Sequence, residues 1–443
     1  MRQQVVAPAR LSGVVRPPGD KSISHRAAML NALATGQARV TNYSAGGDCA
    51  STLRCLRALG VQVQAGGGDG SLVIEGVGLH GLREPSDVLD VGNSGTTARL
   101  LAGLLAGQPF LSVLTGDRSL RSRPMDRIVR PLREMGAQVL GREGDSRAPL
   151  VIRGGNLRGI EYRMPVASAQ VKSCLLIAGL YARGATTLRQ PAPSRDHTER
   201  MLRRMGVPLR EDGLALTAEP VEALMPLDVR VPADISSAAY WLVAGACHPD
   251  GRLTVADVGI NPTRAGILEA LQAMGARATI AHRREEGGEE VADVTVETSR
   301  LQGAEIGGEL VPRLIDEVPV LALAACFARG TTVIRGAAEL RVKESDRIRT
   351  TVRELSRLGA HIRELPDGME VHGTGKLVGA AVQSHGDHRL AMMLGIAGLL
   401  AQGETEVRGA EAASVSYPGF WRDLERVAQG ARRAEAAVPS RVE

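Results

Sequence analysis

Apolar and polar positions follow the same order six times along the chain. Each copy begins with a polar loop, continues as a helix of small apolar residues, turns at Gly or polar residues, and goes on as a Thr/Val-rich strand. Most copies then close with a charged amphipathic helix. The copies are about 70 to 85 residues apart, longer than solenoid repeats of roughly 20–50 residues. Each copy is therefore large enough to form an α/β module, and six modules account for nearly the whole chain.

Five closing helices carry a Leu-Gly or Met-Gly ending, which predicts a helix stop at the Gly. The five endings are Leu56–Val63, Leu132–Val139, Leu202–Leu209, Leu271–Ala278 and Leu355–Ile362. A sixth helix near Leu424 has no Gly stop, and we expect it to run into the tail.

The helices that follow the opening loops are apolar on nearly all faces, which predicts helices buried on every side. They are Thr96–Ala106, Lys172–Ala182, Ile235–Cys247, Val318–Ala328 and His388–Ala401. Three modules per domain give an α/β protein of two domains with helices packed inside. We expect the loops to gather at the cleft between the domains, because helix N-termini with unpaired N–H groups favour anions.

Composition indicates a globular enzyme. Hydrophobic residues make up 44% of the chain, but aromatic residues only 2%, so Ala, Leu, Val and Met must fill the core. The net charge of +5 comes without a basic stripe interleaved with aromatics, which argues against nucleic acid. The longest apolar run, Leu390–Leu400, is too short for a bilayer, which needs roughly 20 residues. Without a secretion signal, a CxxC pair or metal-ligand spacing, we expect a cytoplasmic protein with reduced thiols.

The first loop, Pro18–Arg26, places Lys21 and Arg26 at the start of a helix. Cations oppose the helix dipole there, so their presence predicts a bound anion. A solvated basic helix start is the alternative for this segment alone. The loop is not a Walker A loop, because GxxxxGK[ST] is absent. His25 is expected to be structural.

The second and third modules add further groups for an anion. Gly95 allows a ligand to approach the backbone closely, although a plain turn into a helix has the same composition. Arg123 lies in the same module. Ser168 and Gln170 offer neutral groups for hydroxyl and phosphate oxygens, and Arg195 adds a cation.

The fifth module contains the strongest local pattern. Lys343 and Arg347 are spaced i, i+4, a like-charge pair that costs a few tenths of a kcal/mol in a helix and that an anion would offset. Glu344 is a candidate proton carrier. Asp316 precedes an apolar helix, and its alternative role is an N-cap. Arg389 opens the sixth buried helix.

Together these segments resemble the enolpyruvyl transferases, and among them the 5-enolpyruvylshikimate-3-phosphate (EPSP) synthases. The motifs occur in order across nearly the whole chain: PGDKSISHR, GNSGTT, RPM, SAQ, SRDHTE, IDE, LRVKESDR and DHR. The resemblance implies transfer of the carboxyvinyl group of phosphoenolpyruvate to 3-phosphoshikimate, without a metal or organic cofactor, by a monomer. It implies three βαβαββ units per domain, with one domain at 20–232, the other at 1–19 and 233–430, and a flexible tail at 431–443.

The resemblance also implies residue roles. The residues implied to hold 3-phosphoshikimate are Lys21, Ser22, Arg26, Ser168, Ala169 (through its backbone), Gln170, Arg195, Asp316 and Lys343. Those implied to hold phosphoenolpyruvate are Lys21, Gly95, Arg123, Gln170, Arg347 and Arg389. Asp316 would accept the proton of the 5-hydroxyl, and Glu344, with Lys21, would protonate the methylene carbon.

Three positions can be compared with the residues that members of the family carry there. Val415 stands where some members carry a Lys, and Glu339 where some carry an Asn, so one contact to phosphoenolpyruvate and one near the phosphate site are in doubt. The SAQ and SRDHT variants resemble a branch that includes glyphosate-tolerant members. Gly95 stands where tolerant members of that branch carry Ala.

Two alternatives remain at this point. A UDP-N-acetylglucosamine carboxyvinyltransferase would be expected to have a Lys-Asn pair in its first loop and a Cys-containing mobile loop. This chain has Lys21-Ser22 and no comparable Cys. A non-catalytic anion-binding or RNA-end-binding protein of related fold is the other alternative, and the presence of both Asp316 and Glu344 argues against it.

Overall fold

The computed structural model describes residues 1–67 and 70–435, with the side chains of 430–435 left out. The strands are, in chain order, β1 Arg2–Val6, β2 Leu11–Val15, β3 Thr35–Thr41, β4 Gln62–Ala65, β5 Leu72–Val77, β6 Leu89–Asp90, β7 Leu111–Thr115, β8 Gln138–Gly141, β9 Arg147–Arg153, β10 Glu161–Arg163, β11 Thr186–Arg189, β12 Leu209–Asp212, β13 Ala215–Ala218, β14 Val229–Arg230, β15 Gly251–Gly259, β16 Arg277–Glu286, β17 Glu289–Glu297, β18 Glu305–Ile306, β19 Gly330–Ile334, β20 His361–Leu365, β21 Gly368–Gly373, β22 Ala381–Gln383 and β23 Glu404–Arg408.

The helices are α1 Lys21–Ala32, α2 Gly47–Ala58, α3 Gly95–Ala106, α4 Arg118–Ser122, α5 Asp126–Glu134, α6 Arg142–Asp145, α7 Ala169–Gly179, α8 His197–Arg204, α9 Ile235–Cys247, α10 Gly266–Ala273, α11 Leu310–Leu314, α12 Val318–Cys326, α13 Arg347–Arg357, α14 His388–Leu400 and α15 Phe420–Glu435. Short 3₁₀ turns lie at Ile315–Glu317, Ala338–Val342 and Ala410–Val415. None of the described helices is long and apolar enough to cross a membrane.

Within the described residues the six modules form six sheets, and five of these share one four-stranded topology. In the sheet β6-β7-β9-β8, the first strand runs parallel to the second, and a hairpin then adds two antiparallel strands. Here the buried helix α3 joins the two parallel strands, and the amphipathic helix α5 leads into the hairpin, which makes this module a βαβαββ unit. The sixth module has no hairpin of its own within the described residues, and β1 pairs antiparallel with β23 in its place.

The chain divides into two compact units. Unit 1 comprises Met1–Pro18, Ala233–Arg284 and Glu290–Glu443, and unit 2 comprises Gly19–Pro232 and Glu285–Glu289. Sheets of both units take strands from distant parts of the chain. In unit 2, β14 runs parallel to β3, and in unit 1, β2 runs parallel to β15. Of the tail segment 431–443, helix α15 covers the part to Glu435, and 436–443 lies outside the described residues.

The predicted buried helices are present, and the chain therefore keeps apolar helices inside each unit. The prediction for Ile235–Cys247 is confirmed at both ends, and its Trp241 is fully buried. The helix predicted from Lys172 begins earlier, at Ala169, because the Ser168 hydroxyl accepts a hydrogen bond from Val171 N and caps it.

Helix α1 is the buried helix of the first module, and the apolar pattern missed it because polar residues interrupt the sequence. Asn31 is buried in this helix, and both polar groups of its side-chain amide form hydrogen bonds. Its Nδ2 donates to Leu227 O and its Oδ1 accepts from Leu227 N, each at 2.9 Å. A polar residue can be buried at little cost when its hydrogen bonds are made in this way.

The predicted Gly stops are confirmed. The Gly that follows each of the five closing helices has a positive φ, in the left-handed region that favours Gly. The values are 91° at Gly60, 109° at Gly136, 94° at Gly206, 87° at Gly275 and 84° at Gly359.

Candidate active site

Lys21 is the first residue of α1, which begins at the polar loop of unit 2. Asp20 caps the helix by accepting a hydrogen bond from Ile23 N at 2.9 Å. The Lys21 ammonium lies 3.0 Å from Asp48 Oδ2, at the start of α2. An anion that binds Lys21 therefore approaches a cation already paired with a carboxylate.

Arg26 lies one turn further along α1 and is buried. Its Nε donates to Thr198 Oγ1 at 2.6 Å, its Nη2 to Ser173 Oγ at 2.8 Å, and its Nη1 to Ser22 O at 2.8 Å. Burial lowers the pKa of Arg26 to about 10, although Glu199 opposes the shift. The guanidinium stays protonated at neutral pH, and hydroxyl and carbonyl oxygens are its hydrogen-bond partners. A bound anion would stabilise such a charge.

Gln170, in the first turn of α7, is held by two side chains of α3. Its Oε1 accepts from Arg99 Nη1 at 2.8 Å, and its Nε2 donates to Thr96 Oγ1 at 3.0 Å. Ala169 is the first residue of α7, where backbone N–H groups have no partner within the helix. This helix start therefore has the donors that an anionic substrate needs.

Gly95 and Arg123 lie close together. A Cβ atom on Gly95 would lie 2.9 Å from Arg99 Nη1 and 3.1 Å from Arg123 Nη1. The Arg123 Nη2 atom donates to Asn93 Oδ1 at 2.6 Å in the same loop. Arg99 therefore lies between Gly95 and Gln170, one helical turn after Gly95 on the same helix. The i, i+4 spacing in the GNSGTTAR segment could have revealed Arg99, which the sequence analysis gave no role.

Arg195 lies in the loop before α8, close enough to Arg26 to lower the pKa of Arg26. The first turn of α8 is buried and anchors this loop. Its Glu199 is paired with Lys172 at 2.5 Å, and Thr198 bonds Arg26. The loop that carries Arg195 is therefore connected through α8 to helices α7 and α1 of unit 2.

In unit 1, three carboxylates surround the buried guanidinium of Arg347. Asp387 Oδ2 lies 2.8 Å from Nε, Glu344 Oε2 lies 2.6 Å from Nη2, and Asp316 Oδ1 lies 3.3 Å from Nη1. Burial by itself lowers the pKa of Arg347, but the three carboxylates more than reverse this and raise it above its usual value. The two predicted proton carriers thus share one cation.

Arg389 is the second buried cation of this cluster. Its Nη2 lies 3.8 Å from Asp316 Oδ2, and its Nη1 lies 3.9 Å from Glu317 Oε1. The Nε of Arg389 is buried and has no hydrogen-bond partner among the residues that the structure describes. Glu317 also receives two hydrogen bonds from Arg264 Nη1, at 3.0 and 2.9 Å. Arg264 is a member of the cluster that the sequence analysis missed.

Two sequence interpretations in this module are wrong. Asp316 is not a helix cap, because it lies inside the 3₁₀ turn Ile315–Glu317 and its carboxylate contacts Arg347 and Arg389. Lys343 and Arg347 do not form an i, i+4 pair on one helix, because α13 begins only at Arg347. Lys343 pairs instead with Glu339 at 2.8 Å.

The structure divides the predicted residues between the two units. The unit 2 group is Lys21, Ser22, Arg26, Gly95, Arg123, Ser168, Ala169, Gln170 and Arg195, and the unit 1 group is Asp316, Lys343, Glu344, Arg347 and Arg389. Val415 ends a 3₁₀ turn of unit 1. No group of three or more metal-binding side chains is found in the described part of the chain.

Comparison with known proteins identifies the family. The sequence model of EPSP synthase (3-phosphoshikimate 1-carboxyvinyltransferase) matches residues 5–424. The chain belongs to the EPSP synthase family. It is 56% identical to the 3-phosphoshikimate 1-carboxyvinyltransferases of Roseiflexus castenholzii and Gloeobacter violaceus, over 96% of the chain and 100% and 98% of those proteins.

The fold agrees with that of a solved EPSP synthase. The structure of EPSP synthase from Acinetobacter baumannii superposes with a TM-score of 0.86 at 43% identity, covering 96% of this chain and 98% of that one. The resemblance and the two-domain α/β fold class are therefore confirmed. Membership of the EPSP synthase family also favours the main hypothesis over the UDP-sugar alternative.

A further residue orients the EPSP synthase segment LRVKESDR in this chain. Arg341 Nε donates to Pro366 O at 2.8 Å, and its Nη1 contacts Asp346 Oδ2 at 2.9 Å and Glu364 Oε1 at 2.8 Å. Asp346 in turn caps α13, which begins with Arg347. Arg341 therefore fixes both ends of the turn that carries Lys343 and Glu344.

Proposed function

We propose that the chain transfers the carboxyvinyl group of phosphoenolpyruvate to the 5-hydroxyl of 3-phosphoshikimate, giving 5-enolpyruvylshikimate 3-phosphate and inorganic phosphate. Family membership and the names of the relatives support this activity. The observation that carries the proposal is the position of Asp316 and Glu344 on the same Arg347 guanidinium. This addition needs both a proton acceptor and a proton donor, and two carboxylates beside a cation can supply them.

The substrate roles follow from the chemistry of the two groups. Both substrates are multiply charged anions that repel each other, so cationic clamps and backbone donors must offset the repulsion. We assign 3-phosphoshikimate to Lys21, Ser22, Arg26, Ser168, Ala169, Gln170, Arg195, Asp316 and Lys343. We assign phosphoenolpyruvate to Lys21, Gly95, Arg123, Gln170, Arg347 and Arg389.

The reaction then takes two steps. The 5-hydroxyl oxygen attacks C2 of phosphoenolpyruvate while Asp316 accepts the hydroxyl proton. Glu344, with Lys21, delivers a proton to C3, and a tetrahedral ketal phosphate forms. Loss of phosphate from C2 and of a proton from the methyl carbon restores the double bond in the product. These steps balance without a metal or an organic cofactor.

The decisive experiment is a phosphate-release assay with phosphoenolpyruvate and one of two acceptors. We expect phosphate with 3-phosphoshikimate and none with UDP-N-acetylglucosamine. Release with the UDP-sugar alone would overturn the proposed acceptor, and release with neither would favour the binding-protein alternative. We further propose that the protein acts as a monomer in the cytoplasm, which size-exclusion chromatography with light scattering and cell fractionation can test.

A further inference from the structure

A second concentration of arginines lies in unit 2, and none of its members is assigned to a substrate. It surrounds a surface cavity of about 360 Å³, which is within the usual range for small-molecule sites. The lining residues are Arg118, Arg121, Ser122, Arg142, Glu143 and Arg147. The lining therefore carries four guanidinium groups and one carboxylate.

Two of these arginines lie directly opposite each other. Arg142 and Arg147 form an antiparallel β-bridge, and like charges in directly opposed positions destabilise a pair of strands. Between them, Glu143 accepts from Arg142 Nη2 and from Arg147 Nε, each at 3.2 Å. The Glu143 carboxylate thus lies where an anionic ligand would bind both arginines.

The Glu143 carboxylate can be displaced. Its side chain is 58% exposed, and exposed ion pairs contribute only about 0–1 kcal/mol. The turn itself is firmly held, because Asp145 accepts a hydrogen bond from Gly141 N at 2.8 Å and pairs with Arg133 at 2.5 Å. The backbone of this turn is therefore held independently of the Glu143 carboxylate.

Helix α4 supplies the other side of the cavity. Arg121 Nη1 donates to Gly116 O, which fixes its side chain, and Arg118 is exposed at the first position of the helix. Both α4 and the 142–145 segment pack against β9, so the two sides are parts of one module.

We propose that this cavity binds a small soluble anion that carries two or more adjacent phosphate groups. Guanidinium groups bind phosphate oxygens through paired N–H donors, and several adjacent guanidiniums suit several adjacent phosphates. A single phosphate would leave most of the lining charge unmatched. None of the residues assigned to phosphoenolpyruvate or 3-phosphoshikimate lines the cavity, so the site is additional to the substrate site.

Isothermal titration calorimetry with inorganic pyrophosphate tests the site in the full-length protein. Arg118→Gln/Arg142→Gln should weaken one class of pyrophosphate binding by about tenfold or more. Glu143→Gln removes the competing carboxylate and should tighten the same binding by about threefold. A gain in affinity of this kind cannot result from misfolding.

The matched control is Arg203→Gln/Arg210→Gln, which removes two exposed arginines of unit 2 that are paired with Glu211 and Glu219. It should bind pyrophosphate like the wild type. Pyrophosphate at the substrate residues affects all variants equally, so the differences isolate the cavity. The proposal is overturned if the cavity variants bind like the wild type, or if the control loses as much affinity. If the protein bound vesicles with phosphorylated head groups but did not bind pyrophosphate, the proposal of a soluble ligand would be overturned.

Discussion

Glu344 Oε2 lies 2.6 Å from Arg347 Nη2, so the proposed proton donor is the direct ion-pair partner of a proposed phosphoenolpyruvate ligand. Asp316 and Asp387 take up the other nitrogens of the same guanidinium. A substrate anion that binds Arg347 must compete with these carboxylates. A weaker ion pair between Arg347 and Glu344 stabilises the ionised carboxylate less, which favours protonation of Glu344. Substrate binding and protonation of the proposed proton donor are therefore coupled.

This coupling predicts proton uptake when phosphoenolpyruvate binds. Titration calorimetry in two buffers of different ionisation enthalpy should detect the uptake in the wild type and none in Glu344→Gln. The same substitution should lower kcat by roughly 10²–10⁴, because the amide has no proton to deliver to carbon. Equal proton uptake in both proteins would show that a group other than Glu344 takes up the proton.

Asp316→Asn should lower kcat by roughly 10²–10⁴ and leave the fold intact. The amide keeps the shape of the side chain and can still accept from Arg347, but it cannot take the hydroxyl proton. Steady-state kinetics and a thermal melt measure the two effects. Glu309→Gln, an exposed carboxylate shortly before in the same segment, is the control and should behave as wild type. A folded Asp316→Asn protein with near wild-type kcat would contradict the assignment.

Glu339→Gln should lower the KM for 3-phosphoshikimate by about threefold, because an exposed pair is worth up to about 1 kcal/mol. Glu339 holds the Lys343 ammonium at 2.8 Å and would compete for it with 3-phosphoshikimate, which we assign to Lys343. The value of kcat should change little. Glu370→Gln, which breaks an exposed pair with Arg363, is the control. An unchanged or higher KM in Glu339→Gln alone would show that Glu339 does not compete.

Gly95→Ala should raise the inhibition constant of glyphosate by at least about tenfold. The new methyl would lie 2.9 Å from Arg99 Nη1 and 3.1 Å from Arg123 Nη1, so the flexible ends of both arginines must shift. The family resemblance implies that glyphosate takes the phosphoenolpyruvate site in a slightly longer form, so it should lose more affinity than the substrate from the lost space. The KM for phosphoenolpyruvate should rise less. Equal rises in both constants would mean that Gly95 does not line the inhibitor end.

His25 should make the protein less stable in mild acid. Burial, reinforced by Lys21 and Arg26, lowers its pKa well below 6.5 in the folded chain. Below pH 6.5 the unfolded chain takes up a proton that the folded chain does not, so the free energy of unfolding falls by up to about 1.4 kcal/mol per pH unit. Urea unfolding from pH 8 to 5 measures this slope.

The comparison variant is His25→Asn, which can keep the hydrogen bond to Thr52 Oγ1, now 2.6 Å from His25 Nδ1. It should be less stable overall but show a flatter dependence on pH. Parallel slopes in the two proteins would mean that another group causes the loss in acid.

Local patterns determined most of the modular fold. The Gly stops could be predicted because a helix end that needs positive φ favours Gly whatever surrounds it, as at Gly60 and Gly359. The buried helices could be predicted because a helix with no polar face must be enclosed, as Ile235–Cys247 is. The loop with Lys21 could be proposed as an anion site because a cation at a helix start conflicts with the helix dipole.

Tertiary structure decided which distant residues meet. Arg26 and Thr198 are 172 positions apart, and the pairing of β14 with β3 joins two ends of a unit. Neither contact leaves a local pattern, because strand pairing and hydrogen bonding depend on distance in space and not along the chain. The same reason explains why Asp316 and Asp387, which are 31 and 40 positions from Arg347, meet its guanidinium. Burial without these carboxylates would destabilise that charge.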